Sequence, residues 1–146
     1  MTESEIRLKI KNCERQIDEN TIAKHNLENE VAELQKSYSE LNKLYKNYCS
    51  LHDKRRKNNT FGNLSNLRFA KNIMFQASNL MSGTMFKNSI GAVEESLVNI
   101  KNDIKGLDDR IANTNIQIQK LVNQVQILKK QLITLINSKE QQENGN

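Results

Sequence analysis

The sequence contains no proline and no tryptophan, and it has only five glycines among 146 residues. Proline and glycine are the residues that most often end or bend a helix, so their scarcity permits very long uninterrupted helices. Aromatic residues make up 5% of the chain and hydrophobic residues 36%, which is little material for a globular core. These absences argue against a compact enzyme and favour an all-α protein built from long helices.

A concentration of charge is also lacking. The 22 basic and 17 acidic residues give a net charge of +5, and the excess is spread thinly along the chain. The basic run Lys54 to Lys57 is interpreted as cations at the carbonyl end of a helix rather than as a nucleic-acid contact. No apolar run approaches the roughly 20 residues that span a bilayer. We therefore expect no nucleic-acid partner and no membrane insertion.

The N-terminal residues, Met-Thr-Glu-Ser-Glu, lack the basic and apolar regions of a secretory signal. We expect a cytoplasmic protein, for which export together with a partner would need a leaderless route. Thr2 followed by Glu5 is a capping-box pattern and predicts a helix start near residue 3.

Two heptad patterns dominate the sequence, because apolar residues recur alternately every four and three positions. The first pattern runs through Ile6, Ile10, Cys13, Ile17, Asn20, Lys24, Leu27, Val31, Leu34, Tyr38, Leu41, Tyr45 and Tyr48. The second runs through Phe86, Ile90, Val93, Leu97, Ile100, Ile104, Leu107, Ile111, Thr114, Ile118, Leu121, Val125, Leu128, Leu132 and Leu135. They predict helices over about 3–57 and 84–141, similar in length, that fold back on each other as a long antiparallel, coiled-coil-like hairpin.

The connection between these helices has its own pattern. Apolar residues at helical spacing predict a short helix over about 65–81, with Ser65 as its N-cap. Gly83 predicts a turn before the second long helix, and Thr84 is placed to cap that helix. The chain is thus expected to form one helical-hairpin domain over 1–146 with a disordered tail at 142–146.

The second helix has more apolar residues than its seam needs. If Ile111 occupies position a of the heptad, several isoleucines and one valine fall outside positions a and d. These surplus residues predict packing of a further helix, although a wider hairpin core or a homodimer would also absorb them. They are Ile116, Val122, Ile127, Ile133 and Ile136.

Reactive groups do not converge in the sequence. Cys13 and Cys49 are 36 residues apart on one predicted helix and cannot bridge each other, and Cys13 is expected in the core. His25 and His52 lack a second ligand one turn away and are expected in solvent. No phosphate-binding loop occurs. We therefore expect a protein that has no catalytic activity and binds neither a metal nor a cofactor.

Two long amphipathic helices that meet near Met81-Ser82-Gly83 resemble the WXG100-like proteins of the type VII secretion system. The overall pattern, with its closely spaced Ile and Leu repeats from Val98 to Leu132, is most similar to the YwqH-like small helical proteins encoded beside LXG-domain toxins. The chain departs from the classical members at two points. It has no tryptophan, and no tyrosine follows Gly83, so a Tyr-x-x-x-Asp/Glu export signal is not present.

The resemblance implies a targeting or chaperone-like factor that binds the helical N-terminal domain of a larger secreted toxin, with a second small helical protein as a further candidate partner. The partner-binding residues expected on this basis are Met81, Ser82, Gly83, Phe86, Ile116, Val122, Ile127, Ile133 and Ile136. The alternative is a structural homo-oligomeric coiled coil or tethering protein, including a homodimer.

Overall fold

A computed structural model describes the backbone of residues 1–61 and 68–145, and the side chains of residues 1–54 and 83–145. It contains two helices, α1 (Glu3–Phe61) and α2 (Arg68–Asn144), which pack against each other as an all-α hairpin. The chain divides into two compact units. The first comprises Met1–Ala32 and Gly106–Asn146, and the second comprises Glu33–Lys105. Both helices contribute to each unit.

Contacts between the helices are antiparallel in each unit. In the first unit, Glu3 lies 3.6 Å from Lys139 and Glu14 lies 3.0 Å from Lys129. In the second unit, the Tyr45 hydroxyl donates a hydrogen bond of 2.9 Å to Glu94. The Lys101 ammonium group stands 5.3 Å from the centre of the Tyr38 ring. In each unit, residues further along α1 contact residues earlier in α2, which confirms the predicted antiparallel arrangement of the two helices.

The two heptad patterns form the buried seam between the helices. Every described seam residue is buried or half-buried except Tyr48, which is exposed. The core of the first unit consists of Ile6, Ile10, Cys13, Val125 and Leu128, with Ile17, Leu121, Leu132 and Leu135 packed against it. Burial of these side chains is the main stabilising contribution of the seam, because each removes apolar surface from water.

Polar seam residues are accommodated without deep burial. Asn20, Lys24 and Thr114 are all half-buried. The Thr114 hydroxyl donates to the carbonyl of Arg110 at 2.8 Å, which satisfies it within its own helix. Lys24 lies 3.7 Å from Glu28, one turn further along α1. These positions interrupt the apolar seam but leave no buried charge.

The predicted capping box opens α1. The Thr2 backbone N–H donates to the Glu5 carboxylate at 2.9 Å, and the Glu5 N–H donates to the Thr2 hydroxyl at 3.3 Å. This reciprocal pair satisfies two backbone donors at the helix start. The hydrogen bond from Thr2 lowers the pKa of Glu5, and the hydrogen bond from Arg7 lowers the pKa of Glu3. The ionised form of both carboxylates therefore favours the helix.

The helix bounds differ from those predicted at the connection. α1 continues to Phe61, so the basic run Lys54 to Lys57 precedes the last turn instead of forming it. α2 begins at Arg68 and passes through Gly83 without a break, so the segment predicted as a short helix over 65–81 is not a separate element. Ser65, its predicted N-cap, and the rest of 62–67 lie outside the described residues.

No turn interrupts α2 at the predicted glycine. None of the glycines that the structure describes has a positive φ, so Gly83 keeps ordinary helical geometry and Thr84 lies inside the helix, not at its start. A helical glycine costs about 1 kcal/mol relative to alanine. That cost is small enough for a long helix to continue through it. The helix also extends to Asn144, where the Gly145 N–H donates to the carbonyl of Gln141, so α2 continues into the segment 142–146 that was predicted as a tail.

Candidate interaction surface

The side of α2 that faces away from α1 in the first unit carries three exposed isoleucines. Ile116, Ile127 and Ile133 are 51%, 57% and 58% exposed. They occupy heptad positions f, c and b, which point away from a two-helix seam. We call the exposed residues at these positions between Asp109 and Glu140, which themselves occupy positions f and b, the outer face of α2. It comprises Ala112, Asn113, Ile116, Gln119, Lys120, Asn123, Gln126, Ile127, Lys130, Ile133, Thr134 and Asn137.

The charge on the outer face has one sign. The sequence has no aspartate or glutamate between Asp109 and Glu140. Two other lysines of this stretch, Lys129 and Lys139, reach carboxylates of α1. Lys120 and Lys130, by contrast, are exposed on the outer face, where no residue is acidic. The outer face is therefore apolar, amide-rich and cationic.

A groove of about 530 Å³ lies beside the outer face, at the end of the hairpin where the chain begins. Its apolar lining includes the seam residues Ile6 and Leu135 and the exposed Ile127. Lys130 and Thr134 belong both to this groove and to the outer face. The remaining lining residues are Met1, Gln131 and Ser138. A bulky apolar side chain from another molecule would find apolar contacts here without displacing a charged pair.

Two predicted contact residues lie nearer the seam. Val122 and Ile136 are half-buried at heptad position e, beside the core of the first unit. They belong partly to the hairpin itself, because position e flanks the seam. The surplus of apolar residues in α2 is thus divided between a widened hairpin core and the exposed outer face.

Phe86, another predicted contact residue, is engaged within the second unit. Its ring stacks on His52 with the centroids 3.6 Å apart, and on Tyr48 at 5.4 Å. Phe86 and His52 are both half-buried, so the prediction that His52 stands free in solvent is wrong, whereas His25 is exposed as predicted. Stacking of aromatic rings adds to the gain from burial alone.

The other residues predicted around the glycine lie in the same unit as Phe86. Gly83 is half-buried within α2. The backbone of Met81 and Ser82 belongs to α2, and the side chains of these two residues lie outside the described part. The nine predicted residues therefore fall into two sets, one in each unit.

Apolar residues outside the predicted set are also exposed in the second unit. Leu44 and Leu51 are exposed in the second unit and are seven residues apart, so they share one side of α1. Met85 and Val98 are exposed on α2. A signal for Leu44 and Leu51 existed, because both lie at heptad position g, directly beside the seam.

None of these sites brings reactive side chains together among the described residues. Among the described residues, no three His, Cys, Asp or Glu side chains are placed to hold a metal ion. Cys13 is buried and Cys49 half-buried, and both are free thiols. No described helix has a stretch long and apolar enough to cross a membrane.

Comparison of the chain with protein-family models, with curated proteins and with solved structures gives no match.

Proposed function

We propose that this chain is a non-enzymatic binding protein that packs against the helical N-terminal domain of an LXG-type toxin. It would serve as a targeting or chaperone-like factor for type VII secretion. The observation that supports a binding role is the set of three exposed isoleucines on the outer face of α2. The choice of partner follows from the sequence resemblance to the small helical proteins encoded beside such toxins.

The proposed mechanism is burial of the exposed isoleucines. A hairpin has only one seam, so a second apolar surface remains in water until a further helix covers it. Helices of the toxin domain would cover the outer face, and the combined bundle would be the object that the secretion machinery recognises. Because the chain has no Tyr-x-x-x-Asp/Glu sequence after Gly83, the export signal would come from the partner or from a second small helical protein.

The experiment co-expresses this chain with the helical N-terminal domain encoded beside its gene and measures co-purification. Replacing Ile116 and Ile127 by glutamate should abolish the complex, since each change places a charge on surface that the partner must desolvate. The helical circular dichroism of the double variant should equal that of the unmodified chain. Val98→Glu is the matched control, because Val98 is 55% exposed but lies in the second unit, and it should leave the complex intact.

Two results would contradict the proposal. The first is a neighbouring gene that encodes no long protein with a helical N-terminal domain, or a domain that does not co-purify. The second is a loss of helicity in the double variant equal to its loss of binding, which would make Ile116 and Ile127 core residues.

The alternative function is a structural homo-oligomeric coiled coil or tethering protein. The same exposed isoleucines would then be covered by further copies of the chain, without a second gene product. Self-association that is lost in Ile116→Glu/Ile127→Glu would favour this alternative.

A further inference from the structure

The outer face of α2 presents an ordered row of apolar and cationic side chains. Ile116 and Ile127 lie at heptad positions f and c, about 50° apart around a helix of 3.5 residues per turn, so the line that joins them runs obliquely along the outer face. Lys120 shares position c with Ile127 and Lys130 shares position f with Ile116, so the two lysines lie on opposite sides of that oblique line. The row therefore has an apolar centre with one cation on each flank.

We propose that this row binds an amphipathic helix of a partner protein whose apolar stripe is flanked by acidic side chains. The inference rests on the proposed function for the existence of a helical partner, and it adds the charge that the partner must carry. The apolar stripe would cover Ile116 and Ile127, and a bulky side chain of the stripe would enter the groove that Ile127 shares with Ile6 and Leu135. Carboxylates on the two flanks would meet Lys120 and Lys130.

Charge complementarity favours a partner helix with acidic flanks over partners of other charge. The ion pairs that Lys129 and Lys139 make with Glu14 and Glu3 show how the hairpin neutralises the cations next to its own seam. The outer face contains no carboxylate that would do the same for Lys120 and Lys130. Complementary charges across an interface speed association and exclude wrongly charged partners.

A second copy of this chain is a poorer fit to the row. Pairing of two outer faces would bring together four lysines and no carboxylate, which is unfavourable. The exposed side of α1 in the first unit is the other surface that a copy offers. It exposes Leu8 and Ile22, and it carries Lys11 and Arg15 together with Asp18 and Glu19. Arg15 lies 3.8 Å from Glu19, so this side offers apolar surface but charges of both signs.

The test uses three synthetic helical peptides with one common apolar stripe and with flanking positions filled by glutamate, glutamine or lysine. Their binding to the full chain is measured by fluorescence anisotropy at low and at high salt. The glutamate peptide should bind at least about tenfold more tightly than the lysine peptide, which corresponds to about 1.4 kcal/mol. The preference should shrink as salt is added, because exposed charges are screened.

A charge-reversal variant tests whether Lys120 and Lys130 cause the preference for the glutamate peptide. Lys120→Glu/Lys130→Glu should invert the order, so that the lysine peptide binds more tightly. The matched control is Lys36→Glu/Lys43→Glu, which changes the net charge equally at exposed positions of the second unit and should keep the original order. Equal binding of the three peptides, or an unchanged order in the Lys120 and Lys130 variant, would overturn the inference. Failure of every peptide to bind while the chain self-associates would also overturn it, because a second copy would then cover the row.

Binding of the toxin domain by the two double variants distinguishes failure of this inference from failure of the proposed function. If Ile116→Glu/Ile127→Glu abolishes the complex with that domain but Lys120→Glu/Lys130→Glu leaves it unchanged, the proposed function stands and the acidic partner helix is excluded. If the glutamate peptide binds at the row but the toxin domain does not bind, the inference stands and the proposed function fails.

Discussion

The hydrogen bond between Tyr45 and Glu94 joins the two helices within the second unit. The phenol donates to a carboxylate oxygen at 2.9 Å, and this bond is the main reason that the pKa of Tyr45 rises from 10.0 to about 12. A carboxylate acceptor favours the neutral phenol, because ionisation would remove the donor and place two negative charges side by side. The contribution of this bond to stability is therefore complete below pH 10 and is lost as the pH rises to about 12.

Tyr45→Phe should remove this dependence on pH. Its melting temperature should fall less than that of the unmodified chain between pH 10 and about pH 12, because no phenol ionises at this position. Glu94→Gln should lower the midpoint of the highest phenolate titration, measured by ultraviolet absorbance, since the negative acceptor is gone. Tyr48→Phe is the control and should leave that midpoint in place. An unchanged midpoint in Glu94→Gln would show that the two side chains do not meet in solution.

Single residues were predictable from the sequence where the seam decides their environment. Cys13 falls on the heptad pattern and is buried, as expected. His52 was expected in solvent, yet it stacks on Phe86. Four residues beyond Tyr48, His52 falls on the next position of the heptad seam, so the sequence carried a signal for its burial. It carried none for the contact with Phe86, which is 34 positions away. Their stacking depends on the register of one helix against the other, which the sequence does not specify to within a single turn.

At the scale of the helices, the continuity of α2 through Gly83 is the main departure from expectation. Heptad periodicity predicts a seam well, because a repeat of 3.5 residues keeps one side of the helix against its partner. A lone glycine is a weaker signal, since it is compatible both with a turn and with a helix interior. The end of α1 was likewise predicted four residues too early, because a basic run and polar residues do not by themselves stop a helix.

Gly83→Ala distinguishes a helix from a turn at this position. In the helix, an added Cβ meets no atom within 4 Å, and the change should stabilise the chain by about 1 kcal/mol in urea unfolding. Gly91→Ala is the matched reference, because Gly91 lies within the helix both by the sequence pattern and in the structure, and an added Cβ there also meets nothing within 4 Å. Destabilisation by Gly83→Ala alone would indicate a left-handed turn.

In the molecule as a whole, the hairpin seam leaves part of the apolar surface of α2 uncovered. The sequence identified a surplus of apolar residues in α2, and the structure divides that surplus. Ile116, Ile127 and Ile133 are exposed, whereas Val122 and Ile136 are half-buried beside the core. The sequence could not make this division, because residues at heptad position e are covered or exposed according to how closely the facing helix packs. The groove beside the N terminus is also a product of that packing.

The most direct test of the central claim is size-exclusion chromatography with light scattering on the purified chain, combined with binding of a hydrophobic dye. We expect a highly helical monomer of 16.9 kDa that binds the dye, because the outer face is not covered until a different protein binds. Ile116→Glu/Ile127→Glu should remain monomeric and bind less dye. A stable dimer or tetramer without dye binding would show instead that the exposed isoleucines are already covered by copies of the same chain.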